Sequence, residues 1–186
     1  MSATENMSFW KTAAIYGFPA GFGIISFMLI SFETTGFHSG ASSMAVGFLL
    51  MFVILSLIFF GIKKFRDQGQ GGVIRFSKAL FLGLAMSLCA AISYVLIWEI
   101  YLNITDSEFI FQYTEHLIEL QKAKVITSEE LTAFMEGARK KADLYDSNAL
   151  YRMAITFSEI FPMGFIVSLI SALALHNPKL WARRSN

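Results

Sequence analysis

Apolar positions along the chain gather into four long runs, roughly Thr12 to Phe32, Met44 to Ile62, Ala79 to Tyr101 and Ala154 to Leu175. A helix needs about 20 mostly apolar residues to cross the hydrocarbon of a bilayer, and each run meets that length. Between the third and fourth runs the pattern changes. In "TDSEFIFQYTEHLIELQKAK", Phe109, Tyr113, Leu117 and Leu120 recur at helical spacing, and in "TSEELTAFMEGARKKADLYDSNAL" Leu131, Phe134, Met135, Ala138 and Ala142 do the same. Each stretch opens on a capping-box pattern, Thr105 with Glu108 and Thr127 with Glu130. The prediction is an all-α, polytopic membrane protein with one membrane domain over residues 1–186. Four transmembrane helices carry an extracytoplasmic helical hairpin within residues 102–151, turning near Val125 to Thr127.

Composition agrees with a chain built for lipid. Of the 186 residues, 55% are hydrophobic and only 16% charged, with a mean hydropathy of +0.54. A soluble domain carries about 25% charged residues. Nineteen phenylalanines and nine methionines against three prolines favour helices over a sandwich or barrel. The first ten residues, "MSATENMSFW", lack the basic start of a signal peptide, so the N-terminal run is expected to remain as a span. Cys89 is alone, which excludes an intramolecular disulfide, and its apolar run makes it a small buried hydrophobe.

Charge orients the spans. Lys63, Lys64, Arg66, Arg75 and Lys78 lie between the second and third runs with Asp67 alone against them, while the first connection holds only Glu33 and His38. Positive charges of short loops stay in the cytoplasm. Both termini are therefore expected inside and the hairpin outside, with Lys179, Arg183 and Arg184 after the last run in agreement. The glycines of "GQGG" (Gly69, Gly71, Gly72) follow a membrane run and lack the Gly-Lys-Ser/Thr closure of a phosphate loop. They read as a turn, with no nucleotide or nucleic acid implied.

Small residues repeat at a spacing of four: Ala13, Gly17 and Gly21 in the first run, Gly83, Ser87 and Ala91 in the third, and Gly164, Ser168 and Ala172 in the fourth. Helices in lipid associate by close backbone approach, so these stripes predict a compact bundle. Two prolines lie within runs in similar settings, "FPAGF" around Pro19 and "FPMGF" around Pro162. Each is a candidate kink, and the pair raises an inverted repeat as one reading.

Ionisable groups within spans mark functional sites by default. Glu99 sits in "LIWEIY", Glu159 in "TFSEIFPMG", and Arg152 lies seven residues before Glu159 on nearly the same face. Glu99, Arg152 and Glu159 form the candidate polar membrane site. The expected role is an interhelical clamp; the alternative is proton or cation handling. Catalytic and metal-binding patterns are missing from the sequence: His38, His116 and His176 are split between the two sides, and no HExxH, CxxC or GxSxG occurs. No cofactor is expected. Trp10, Trp98 and Trp181 fall near predicted boundaries, as interfacial aromatics do.

Four blocks, "SLIFFGIKKFRD", "GGVIRFSKALFLGL", "YVLIWEIY" and "FPMGFIVSLISALAL", together with the polar helical insert before the last span, resemble a bacterial membrane family known as domain of unknown function 4199, frequent in the Bacteroidetes. The resemblance spans nearly the whole chain. It implies a four-span protein of the bacterial inner membrane and supplies no reaction, substrate or functional residue. The expected function is non-enzymatic binding or assembly within the lipid bilayer, with a protein partner at the hairpin or a second copy of the chain. The alternative is a small oligomeric transporter or channel using Glu159 and Glu99.

Overall fold

A computed structural model describes residues 8–35, 41–124 and 127–177. Within them the chain is helical, without strands. The helices are α1 (Phe9–Thr35), α2 (Ala41–Leu55), α3 (Leu57–Gly69), α4 (Phe76–Ile104), α5 (Glu108–Lys122), α6 (Ser128–Ser147) and α7 (Ala149–Leu175). Four segments are long and apolar enough to cross a membrane: Phe9–Thr34, Ala45–Gly69, Phe76–Ile104 and Ala149–Leu175. This is the architecture of a four-span membrane protein. One end of the bundle carries the basic turn after α3, the other the α5–α6 hairpin.

The second span differs from its expected form. Its helix is interrupted at Ser56, which carries no proline. The Ser56 hydroxyl donates to the Val53 carbonyl at 2.6 Å, and the Phe59 amide reaches the Ser56 carbonyl rather than the one before it. A serine that bonds back to its own helix competes with the regular ladder. By contrast α1 continues past Pro19 and α7 past Pro162, and both prolines point outward. The helix also runs on to Gly69, so Lys63, Lys64 and Arg66 belong to α3 and not to a loop. The turn itself is short. Gly71 and Gly72 adopt φ of +67° and +88°, and the Gly72 amide closes on the Arg66 carbonyl. That left-handed conformation is cheap for glycine alone.

The core is a seam of small residues. α1 runs parallel to α4, with Gly17 against Met86 and Cys89 and Gly21 against Ala90 and Ser93. α4 and α7 are antiparallel. A Cβ on Gly83 would fall 2.7 Å from that of Ser168, and one on Gly164 would fall 2.6 Å from that of Ser87. Each glycine thus accommodates the serine of the facing helix. The two hydroxyls lie 3.0 Å apart, and each also faces the carbonyl four residues back on its own helix. Each carries one hydrogen, so one serine bonds its own helix while the other bridges. All six predicted packing residues (Gly17, Gly21, Gly83, Ser87, Gly164 and Ser168) are buried.

The hairpin is present, with two corrections. The capping box at Thr127 and Glu130 forms in both directions. The one expected at Thr105 and Glu108 does not: Thr105 donates instead to the Tyr101 carbonyl at the end of α4, and α5 starts from Ser107 in the left-handed region. The Tyr101 carbonyl thus accepts from both the amide and the hydroxyl of Thr105, the bond back to i−4 that threonine makes on its own helix. The buried face of α5 is Ile110, Thr114 and Ile118, one position on from the expected stripe; Tyr113 and Leu120 are exposed and Leu117 half-buried. Phe109 turns to the bundle instead, packing 5.0 Å from Trp98 and 4.5 Å from Phe32. Of the predicted turn, Val125 and Ile126 lie outside the described residues.

Candidate functional site

Where α4, α6 and α7 meet, at the hairpin end, the side chains change from small to charged. Arg152, in the first turn of α7, is buried together with Glu99 near the end of α4. The pair is bidentate: Nε meets Oε1 at 2.7 Å and Nη2 meets Oε2 at 2.6 Å. A planar guanidinium matches a carboxylate in this way, and lysine could not replace it. The remaining terminal nitrogen, Nη1, donates to the carbonyls of Tyr145 and Asp146 at 3.0 and 2.8 Å. Those carbonyls belong to the last turn of α6, which has no helical donor for them. Arg152 therefore joins three helices: its own, the α4 carboxylate and the C-terminus of the hairpin.

A second chain of bonds runs beside the first. Trp98 Nε1 donates to the Tyr145 hydroxyl at 2.9 Å; that hydroxyl faces Thr156 Oγ1 at 3.0 Å, which in turn donates to the Arg152 carbonyl at 2.9 Å. With Thr156 donating onward, Tyr145 is the donor to Thr156. Burial pushes the Tyr145 phenol up, while its bonds to Thr156 and Trp98 pull it back; the Glu159 carboxylate adds to the rise and Arg152 opposes it. Asn148 caps α7 by accepting from the Tyr151 amide at 3.0 Å. No buried side-chain nitrogen or oxygen among the described residues lacks a partner.

The sequence foresaw Glu99 and Arg152 together and missed what surrounds them. Trp98, expected as an interfacial ring, is buried, and its N–H is committed to Tyr145. Trp10 is exposed, and Trp181 lies outside the described residues. Nothing in the spacing of Tyr145 or Thr156 marks them, because they act across helices. Glu159 takes no part in the clamp: it is exposed, and among the described residues no hydrogen bond or ion pair involves it. Arg152 lies at the start of α7 and is fully engaged there, so it leaves nothing for a carboxylate two turns along.

A comparable tether at the other end was not foreseen. Arg66 is fully buried, with Nε donating to Asp67 at 2.8 Å and Nη1 reaching the Leu175 carbonyl, the last of α7, at 3.3 Å. Asp67 is also paired with Lys63 at 2.7 Å, and Lys78 reaches Gln70 at 2.7 Å while lying over the Phe65 ring. Charge bias makes this cluster look wholly solvated; one of its arginines is a helix cap. His116 and His176 are far apart in the fold, His38 lies outside the described residues, and the described residues contain no group of His, Cys, Asp and Glu able to hold a metal.

No curated protein and no solved structure matches this chain. A family model described as "Protein of unknown function (DUF4199)" matches residues 15–177, which run from α1 to just beyond α7 and take in the seam, the clamp and the hairpin. The chain belongs to that family.

Proposed function

We infer that this is a non-enzymatic membrane protein whose work is to hold the α5–α6 hairpin at the membrane boundary as a recognition surface for another protein. The observation that carries this reading is the clamp at Arg152. A buried ion pair is a weak way to gain stability, because desolvation offsets most of the attraction. What it fixes is geometry: one guanidinium sets the angle between the hairpin and two spans. The surface so presented mixes charge with exposed aromatics, including Phe111 and Tyr113. Positive charge around the basic turn favours a cytoplasmic position for that turn, and hence an extracytoplasmic hairpin in the bacterial inner membrane.

Photo-crosslinking amino acids at Phe111 and Leu144, with Val73 of the basic turn as reference, test this in cells. A discrete adduct with another protein at the hairpin positions alone is expected. Adducts at neither position, or equally at Val73, would overturn it, and an adduct of twice the protein's own mass would make the partner a second copy. The transport alternative has lost one of its two carboxylates to Arg152. It keeps Glu159, and ion flux across liposomes that disappears in Glu159→Gln would move the protein into that class.

A further inference from the structure

The second span leaves the bundle part-way along. Near the basic turn it is tightly held: a Cβ on Gly61 would meet Tyr16 and Met86 within 3 Å. At Gly23 of α1 the approach has relaxed to ordinary contact with Ile54 of α2, 3.8 Å. Beyond that level Ala45, Val46, Gly47, Phe48 and Leu49 are all exposed. Five consecutive residues cover every face of a helix, so no face of this part of α2 is buried against the described residues, and Gly47 has open space where a Cβ would stand. Phe27 and Ile30 of α1 are exposed at the same end. Among the described residues a cleft therefore opens beside α2 toward the hairpin.

Glu159 lies at the level where this cleft begins. The pairs Gly83–Ser168 and Ser87–Gly164 set the register of α4 against α7; one further turn brings Ile160 opposite Ala91, close to the midpoint of α4. By the rise of a helix, Glu159 is about 15 Å from the start of α7, near the middle of the span rather than at its edge. Helical rotation sets it roughly 140° around α7 from Gly164, away from the α4 seam. Its charge reaches the hydroxyls of Tyr94 on α4 and Tyr145 on α6, and the Tyr94 hydroxyl meets the Met28 sulfur of α1 at 2.9 Å. One turn further on, Pro162 has no N–H to return to the Ser158 carbonyl.

We propose that Glu159 is a proton-binding site near the middle of the membrane, loaded from the hairpin side through the cleft beside α2. A carboxylate in hydrocarbon without a counter-ion is costly, and taking up a proton removes the charge. Among the described residues no neighbouring element supplies a cation. Arg152 is held by Glu99 and two carbonyls, α4 and α6 present the phenols Tyr94 and Tyr145, α1 presents Met28, and Ala45 to Leu55 of α2 contain no ionisable residue. A metal cation needs several oxygen ligands; one carboxylate and one freed carbonyl fall short, whereas a proton needs only the carboxylate.

The test uses the full-length protein in liposomes treated with dicyclohexylcarbodiimide, an apolar reagent that adds to protonated carboxyl groups in apolar surroundings, followed by mapping of the adducts by mass spectrometry. The expected result is an adduct on Glu159 that declines as pH rises, with Glu99 and the hairpin carboxylates Glu115 and Glu119 unmodified. Failure to modify Glu159 at any pH, or modification no greater than at Glu115, would overturn the proposal. The route is tested by Met28→Cys in a Cys89→Ala background, with Thr34→Cys as the accessible control. A membrane-impermeant maleimide should label the cysteine at position 28 only when the hairpin side faces the reagent. Labelling of the control alone, or labelling from the basic-turn side, would overturn the cleft as the route.

Discussion

Among the described residues two arginines are buried, one near each end of α7, and both cap the C-terminus of a helix. Arg152 caps α6 and Arg66 caps α7. They differ in where the counter-charge comes from. Arg152 takes its carboxylate from Glu99, on another helix and 53 residues away. Arg66 takes its own from Asp67, the next residue, which Lys63 also holds. The second tether keeps its neutralising partner if α3 and α7 separate; the first loses it if α4 and α7 separate. Arg152 therefore couples helix position to electrostatic cost, and Arg66 largely does not.

The largest effect should come from breaking the coupled tether. Arg152→Met leaves Glu99 buried without its partner and strips the carbonyls of Tyr145 and Asp146, an expected loss of about 3–5 kcal/mol. Unfolding in mixed micelles would measure it. Adding Glu99→Leu should recover most of that loss, because no buried charge then remains; a double variant as unstable as the single would show that the ion pair is not the source. Arg66→Met is the matching change at the other end. Asp67 keeps Lys63, so the expected loss is smaller, about 1–3 kcal/mol for the bond to Leu175. A loss at Arg66 equal to that at Arg152 would erase the distinction between the two tethers.

Third in size is Tyr145→Phe, which removes the hydroxyl joining Trp98 to Thr156, at about 1 kcal/mol. This side chain also gives the clamp a pH dependence of known sign. Its phenol is raised in the folded protein, chiefly by burial, so the folded state keeps a proton that the unfolded state releases. Its contribution to stability is present at neutral pH and fades once pH passes the ordinary tyrosine value of about 10. The alkaline decline in melting temperature should be shallower in Tyr145→Phe than in the parent. An unchanged slope would place the alkaline sensitivity elsewhere.

The two tethers were unequally legible in the sequence, for a physical reason. Glu99 is visible because a charge inside an apolar run is rare and must be paired, and Arg152 because it stands just ahead of the fourth run on nearly the same face as Glu159. Arg66 is equally buried, yet it stands among lysines, where charge bias predicts solvent. Its burial depends on the end of α7 arriving beside it, which no local pattern records. The four spans, the hairpin and the Gly–Ser stripes could be read because each follows a period along one helix. The break at Ser56, the shifted face of α5 and the roles of Trp98, Tyr145 and Thr156 could not. Those depend on which carbonyl or neighbouring helix a side chain finds once the bundle has formed.

Glu159 is the third ionisable group tied to α7, and it should have the smallest effect on stability. It sits outside both tethers, exposed and without a hydrogen bond among the described residues. Glutamine has nearly the same shape and carries no charge, so Glu159→Gln removes no contact and spares the fold a group that is costly to ionise in hydrocarbon. Its unfolding free energy should stay within about 0.5 kcal/mol of the parent, as for surface changes away from any packed feature. That small number separates two roles. A carboxylate belonging to the clamp would cost several times more when neutralised, as Glu99→Gln would leave Arg152 buried without its counter-charge. Near-parental melting alongside carbodiimide labelling of the parent would assign Glu159 to function and Glu99 to structure, although the sequence presents them as a pair.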